Sequence, residues 1–104
     1  MTIINQVELV KRDRTTFKVN DYVMFSTDLN SFGGITNIEL WNIGGKSIPI
    51  AFIDKFFVHN CVSDDLCPRV NTLRVVDQTH AHINDLVPIL IAEKNQEQRV
   101  CIFY

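Results

Sequence analysis

The stretch Tyr22-Val23-Met24-Phe25 constrains this chain more than any other. Val19-Asn20-Asp21 before it reads as a turn, because Asn and Asp hydrogen-bond their own backbone and tolerate left-handed conformations. Alternation along the next four residues sets Val23 and Phe25 on one face and Tyr22 and Met24 on the other, so both faces are apolar. Such a strand needs cover on each side. A small sheet curled into a barrel, with a further element packed outside it, supplies that cover. No segment repeats apolar residues at helical spacing behind a cap. The expected fold is therefore all-β: a small, partly open barrel with long loops and at most one short helix, near Ile53 to Val58 or Ile83 to Val87.

The neighbouring stretches extend this meander. Ile35 to Ile43 alternates imperfectly, with Ile38 and Leu40 on one side and Ile35, Trp41 and Ile43 on the other, which reads as a strand with a partly wet outer face. Gly44-Gly45 supplies positive φ for a hairpin turn. Ser47 to Val58 follows as the most apolar run, and Pro49, which lacks a ladder donor, places its start at an edge or a bulge. Upstream, Thr2 to Val10 is a first strand or an extended arm. Thr27 to Gly34 carries Ser, Asp, Asn and paired Gly, the composition of a loop, and Phe32 within it is either a core plug or the lining of a groove. His59 to Arg69 reads as the longest surface loop, made locally negative by Asp64-Asp65. Val70 to Asp77 resumes as a strand burying Val70, Leu73 and Val75 or Val76, Thr79 to Asp85 connects, and Leu86 to Ala92 and Arg99 to Tyr104 finish the sheet. The expected core is Val23, Phe25, Ile38, Leu40, Phe52, Leu73 and Ile102.

At 104 residues with 46% hydrophobic side chains, residues 1–104 suffice for a single domain with its own core, residues 1–14 forming an N-terminal strand or arm. Ten Lys and Arg against twelve Asp and Glu leave a formal charge of −2, so no global field recruits DNA or an anionic membrane. The three cysteines, an odd number, are expected to be free thiols in a reducing compartment. With no secretory leader pattern and no apolar run near the roughly 20 residues of a spanning helix, an intracellular setting is expected.

Chemistry-bearing motifs are scarce. There is no phosphate-cradling glycine loop ahead of a helix and no nucleophile elbow, so no catalytic residues are expected and the chain does not read as an enzyme. His59, Cys61, Cys67, His80 and His82 include the residue types that hold Zn²⁺, but five residues separate the two cysteines where structural sites use two to four. Neither metal nor cofactor is expected.

Four runs resemble the bromo-adjacent homology (BAH) domain of chromatin proteins, across most of residues 15–104: Phe17-Lys-Val-Asn-Asp-Tyr-Val, Gly34-Ile-Thr-Asn-Ile-Glu-Leu-Trp41, Gly45-Lys-Ser-Ile-Pro-Ile-Ala-Phe52 and Asn71-Thr-Leu-Arg-Val-Val-Asp77. The chain is similar more loosely to other SH3-like barrels of the Tudor and KOW types. Asn20 stands where that family has its turn glycine, and Phe52-Ile53-Asp54-Lys55 where it has Trp-Phe-Tyr-Arg. The resemblance implies a nuclear, chromatin-associated protein-interaction module with a histone tail or nucleosome as partner. It places Phe32, Phe52 and Asp54 at the positions of methyl-lysine cage aromatics and gives Trp41 a packing role.

Two readings of function compete. One is a non-catalytic module docking a protein partner, with Phe32 and the Asp64-Asp65 pair offering an apolar contact flanked by negative charge, or an accessory protein of viral type that inhibits a host protein by binding it. The other is a small nucleic-acid-binding barrel using Lys11, Arg12, Arg14 and Lys18. The net charge favours the first.

Overall fold

Gly44 and Gly45 take φ of +59° and +80°, the left-handed pair of a two-residue hairpin, and join two long neighbouring strands. In the computed structural model, which describes the backbone of residues 2–59, 68–94 and 97–102 and the side chains of these except 2–4, 94, 101 and 102, the chain is all-β. The strands are β1 (Thr2–Val7), β2 (Leu9–Arg12), β3 (Thr15–Lys18), β4 (Tyr22–Phe25), β5 (Asp28–Ile43), β6 (Lys46–Val58), β7 (Arg69–His82), β8 (Leu86–Lys94) and β9 (Glu97–Ile102). A single 3-10 turn, Ile83–Asp85, stands where a short helix was allowed, and Ile53 to Val58 belongs to β6. Among the described residues no helix is long and apolar enough to cross a membrane.

The sheet runs β1-β5-β4-β8-β9-β7-β6, and β6 pairs back onto β5, so the strands form a ring that is not a regular barrel. All pairings are antiparallel. The two apolar faces of β4 are covered by two different cores. Val23 and Phe25 join Phe17, Ile35, Ile38, Ala51, Ile53, Ile83 and Leu86 in the first. Met24 turns the other way, with Phe32, Phe56, Val70, Ile89 and Val100, in the second. The further element outside the ring is the β2-β3 hairpin, which drives Phe17 into the first core. Arg12 pins it there: its Nη1 donates to the carbonyls of Ile83 and of Leu86, the latter at 2.9 Å, while the guanidinium lies 5.0 Å over the Phe17 ring. The turn ahead of β4 forms as expected, with Asn20 at φ +78° and the Asp21 carboxylate accepting from the Lys18 N–H at 2.9 Å.

Several expectations are corrected. Thr27 to Gly34 is no loop, because Ser26-Thr27 makes a tight turn and β5 begins at Asp28, with Phe32 opposite Met24. Thr36 is a bulge in β5, and it brings Ile35 and Ile38 to the same face, in the first core. Leu73 is 93% exposed, since Thr72, Leu73 and Arg74 fall between the Phe57↔Asn71 and Phe56↔Val75 pairs and bulge outward. Val75 and Val76 are exposed as well, whereas Val70 is buried. Thr79 to His82 continues β7 rather than connecting; its inward residues, Thr79 and Ala81, are small or polar and gave no apolar signal. Leu40 and Phe52 are half-buried. Pro49 pairs with Leu40 at a point where β7 has not yet begun to pair with β6, so β6 has one neighbour there. The side chain of Ile102 lies outside the described residues.

The ring closes where β7 meets β9, at the pairs Arg69↔Arg99 and Val70↔Gln98. Glu97 clamps this seam, one oxygen accepting from Arg69 and the other from Arg99, each at 2.7 Å. The hydrogen bond from Arg69, then that from Arg99, holds its carboxyl below the usual glutamate value of 4.5. A depressed folded-state value stabilises the fold above the unfolded value, and that contribution is lost as pH falls through the folded one. Melting curves from pH 7 downward should therefore separate wild type from Glu97→Gln near neutrality and converge below about pH 4.5. Curves that stay parallel throughout would remove Glu97 from the seam.

Candidate functional site

The face of β5, β6 and β7 turned away from the first core holds the only large aromatic cluster left half-open among the described residues. The hairpin turn sets its register, with Trp41 opposite Ile48, Glu39 opposite Ile50 and Asn37 opposite Phe52. Across β6, Phe52 faces His80, Ile50 faces His82 and Asp54 faces Gln78. Successive rows on one face therefore read Trp41 and Ile48, then Glu39, Ile50 and His82, then Asn37, Phe52 and His80, then Asp54 and Gln78.

The three rings pack on one another. Trp41 meets Phe52 edge-on with centroids 6.3 Å apart, and His80 lies 5.4 Å from Trp41 and 5.7 Å from Phe52. The Trp41 indole donates Nε1–H to Glu39 Oε1 at 2.8 Å, which satisfies the indole and fixes the ring plane. Beside Phe52 and His80 lies an open hollow of about 310 Å³, bounded also by Thr36, Asp54, Gln78 and Thr79. Gln78 Nε2 donates to Asp54 Oδ1 at 3.1 Å across its mouth. A second hollow of about 190 Å³ shares Thr36 and Asp54 and leads to Tyr22 and Phe56, whose rings meet edge-on at 5.8 Å. Asp54 thus stands between two aromatic groups. Neither Asp54 nor Glu39 makes an ion pair among the described residues, and Lys55 Nζ sits 5.4 Å over the Phe25 ring of the first core.

Such a surface can bind a cation that carries apolar surface. Ring faces attract the charge through their quadrupoles, and the two carboxylates set the sign of the local potential. A slightly larger hollow, about 330 Å³ beside Arg69, Asn71, Glu97 and Gln98, is less suited, because Glu97 is taken up by two arginines and Gln98 bonds Thr72.

Of the site residues read from the sequence, Trp41, Phe52 and Asp54 converge on this face. Phe32 does not: it is fully buried in the second core, so its ring offers no surface to a partner. Asp64 and Asp65 lie outside the described residues, as do Cys61 and Cys67. The half-buried Trp41 packs against Phe52 and His80 and forms part of the half-open cluster. His80, Gln78 and Glu39 were not foreseen here. His80 and His82 do share a face, but His82 Nδ1 accepts the Asn84 N–H at 2.9 Å to cap the 3-10 turn, and no group of three or more metal-binding side chains occurs among the described residues. The basic stretch is divided, since Arg12 is spent on backbone carbonyls while Lys11, Arg14 and Lys18 are exposed. No family model, curated protein or solved structure matches this chain.

Proposed function

We propose that this chain is a non-catalytic interaction module that docks a protein partner by taking a lysine or arginine of an otherwise partly apolar segment against Trp41, Phe52, His80 and Asp54. A histone tail is the instance implied by the BAH resemblance, and a nuclear setting goes with it. The observation that carries this reading is the aromatic row bordered by two carboxylates that have no cation partner among the described residues. Such a site gains from a cation that the described residues do not supply.

The lone tryptophan makes the test direct, because Trp41 belongs to the proposed site. Titration with a lysine-rich histone-tail peptide should change its emission saturably. Phe52→Ala and Asp54→Lys should each weaken binding by at least about tenfold, the scale of a residue at the centre of an interface. An emission that no basic peptide alters at millimolar concentration would sink the proposal. Tight, steeply salt-dependent binding of an oligonucleotide, lost when Lys11, Arg14 and Lys18 are changed to Ala, would favour the nucleic-acid reading instead.

A further inference from the structure

We infer that Glu39, buried beneath the aromatic row, is the residue that makes this face select for positive charge. The inference rests on the docking face proposed above and assigns a role to a residue that no partner need touch. Glu39 is only 8% exposed, an unusual position for a carboxylate with no ion pair among the described residues. Its burial follows from its place in the sheet. β5 has a neighbour on both sides at this row, Gln6 of β1 and Ile50 of β6, and the Trp41 side chain bonds to it along the strand.

Its local hydrogen bonding does not require a charge. Oε1 accepts from Trp41 Nε1 at 2.8 Å and Oε2 from Asn37 Nδ2 at 3.3 Å. A glutamine could also accept the indole N–H, as a neutral bond weaker than the charge-assisted one, and Asn37 could present its carbonyl to the new amide by a flip that costs no backbone movement. The negative charge strengthens the hold on Trp41 but the geometry does not require it. It is also uncompensated, since the described residues give Glu39 no ion pair. Burying such a charge is costly unless something neutralises it when the protein works.

Geometry indicates what that is. Glu39 lies one row from Phe52 and His80 on the same face, and Asp54 lies one row beyond them on the other side. Rows on one face of a strand are about 7 Å apart, so a cation over the Phe52 ring would sit between two carboxylates. Of the two, Glu39 is the more buried and the less screened. It contributes charge selection, while the rings contribute the apolar contact.

The test uses the whole chain and two peptides that differ only at the docking side chain, one with lysine and one with the uncharged isostere norleucine. Glu39→Gln should lower affinity for the lysine peptide on the order of tenfold and leave affinity for the norleucine peptide alone. Equal affinity of wild type and Glu39→Gln for the lysine peptide would overturn the inference. So would an equal loss for both peptides, which marks a merely structural role. If Glu39→Gln fails to fold, Asp54→Asn takes its place: lysine preference retained there supports Glu39 as the selecting charge, and its loss, which assigns selection to Asp54, refutes it. Should wild type bind neither peptide, the docking face itself is at fault rather than the role of Glu39.

Discussion

Gly33→Ala is expected to destabilise the fold by about 3 kcal/mol or more, at the upper end of what forced overpacking costs. Gly33 sits where β5 is held on both sides at once, opposite Val23 of β4 and Lys55 of β6. A Cβ built there would lie 2.4 Å from Ile53 Cγ2 and 2.5 Å from the Asp54 carbonyl oxygen. The side chain could turn away, but the carbonyl is backbone of a paired strand. Relief therefore requires β5 and β6 to separate, which disturbs the first core at Ile53 and the aromatic face at Asp54 together. Urea denaturation monitored through Trp41 would measure this, and a loss under about 1 kcal/mol would show that the two strands do not approach so closely. Gly44→Ala provides the contrast. No atom lies within 4 Å of a Cβ there, so only its φ of +59° is strained, at a cost of about 1 to 2 kcal/mol.

Gly33 also marks where the sequence was hard to read. Paired glycines among Ser, Asp and Asn have the composition of a loop, yet here they permit close approach between strands inside a sheet. The same confusion arose at Thr79 to His82, where polarity belongs to the open outer face and the inner positions are too small to register as apolar. The legible elements were those whose signal is local. The double-sided apolar pattern of β4, the left-handed Asn20 and the Gly44-Gly45 turn depend only on residues next to one another, and each appears in the structure. Leu73 shows the opposite case, because β7 bulges against β6 there, and no alternation rule anticipates which residues a bulge expels.

The site divides along the same line. A two-residue hairpin carries a fixed register, so the placing of Trp41, Glu39 and Asn37 against Ile48, Ile50 and Phe52 was implicit in Gly44-Gly45. His80 was not accessible in this way. Its position over Phe52 depends on bulges at Val76 and at Thr72 to Arg74, which set the phase of β7 against β6. Counting back from the strand ends without those bulges would place a different residue beside Phe52. Glu39 escaped for another reason: a single acid in an alternating strand reads as solvent-facing, and only a flanking strand on each side makes it buried.

Phe32→Ala should cost about 3 to 5 kcal/mol, the range for removing a fully enclosed aromatic ring from a core that cannot collapse around the void. The ring is 0% exposed and packs among Met24, Phe56, Val70, Ile89 and Val100, which come from five different strands. Those strands are themselves paired around the ring, so the cavity is held open by ladders that do not easily shift. The variant also separates two meanings of one residue. If Phe32 is a plug, Phe32→Ala lowers the urea midpoint sharply but, at denaturant-free temperatures where it remains folded, binds a lysine-rich peptide as wild type does. If it forms a wall of the binding site, affinity falls while stability stays within about 1 kcal/mol. The burial of Phe32 predicts the first result. The second would mean that the second core opens when a partner binds, and the docking surface would then have to be extended from Asp54 through Tyr22 and Phe56 to Phe32.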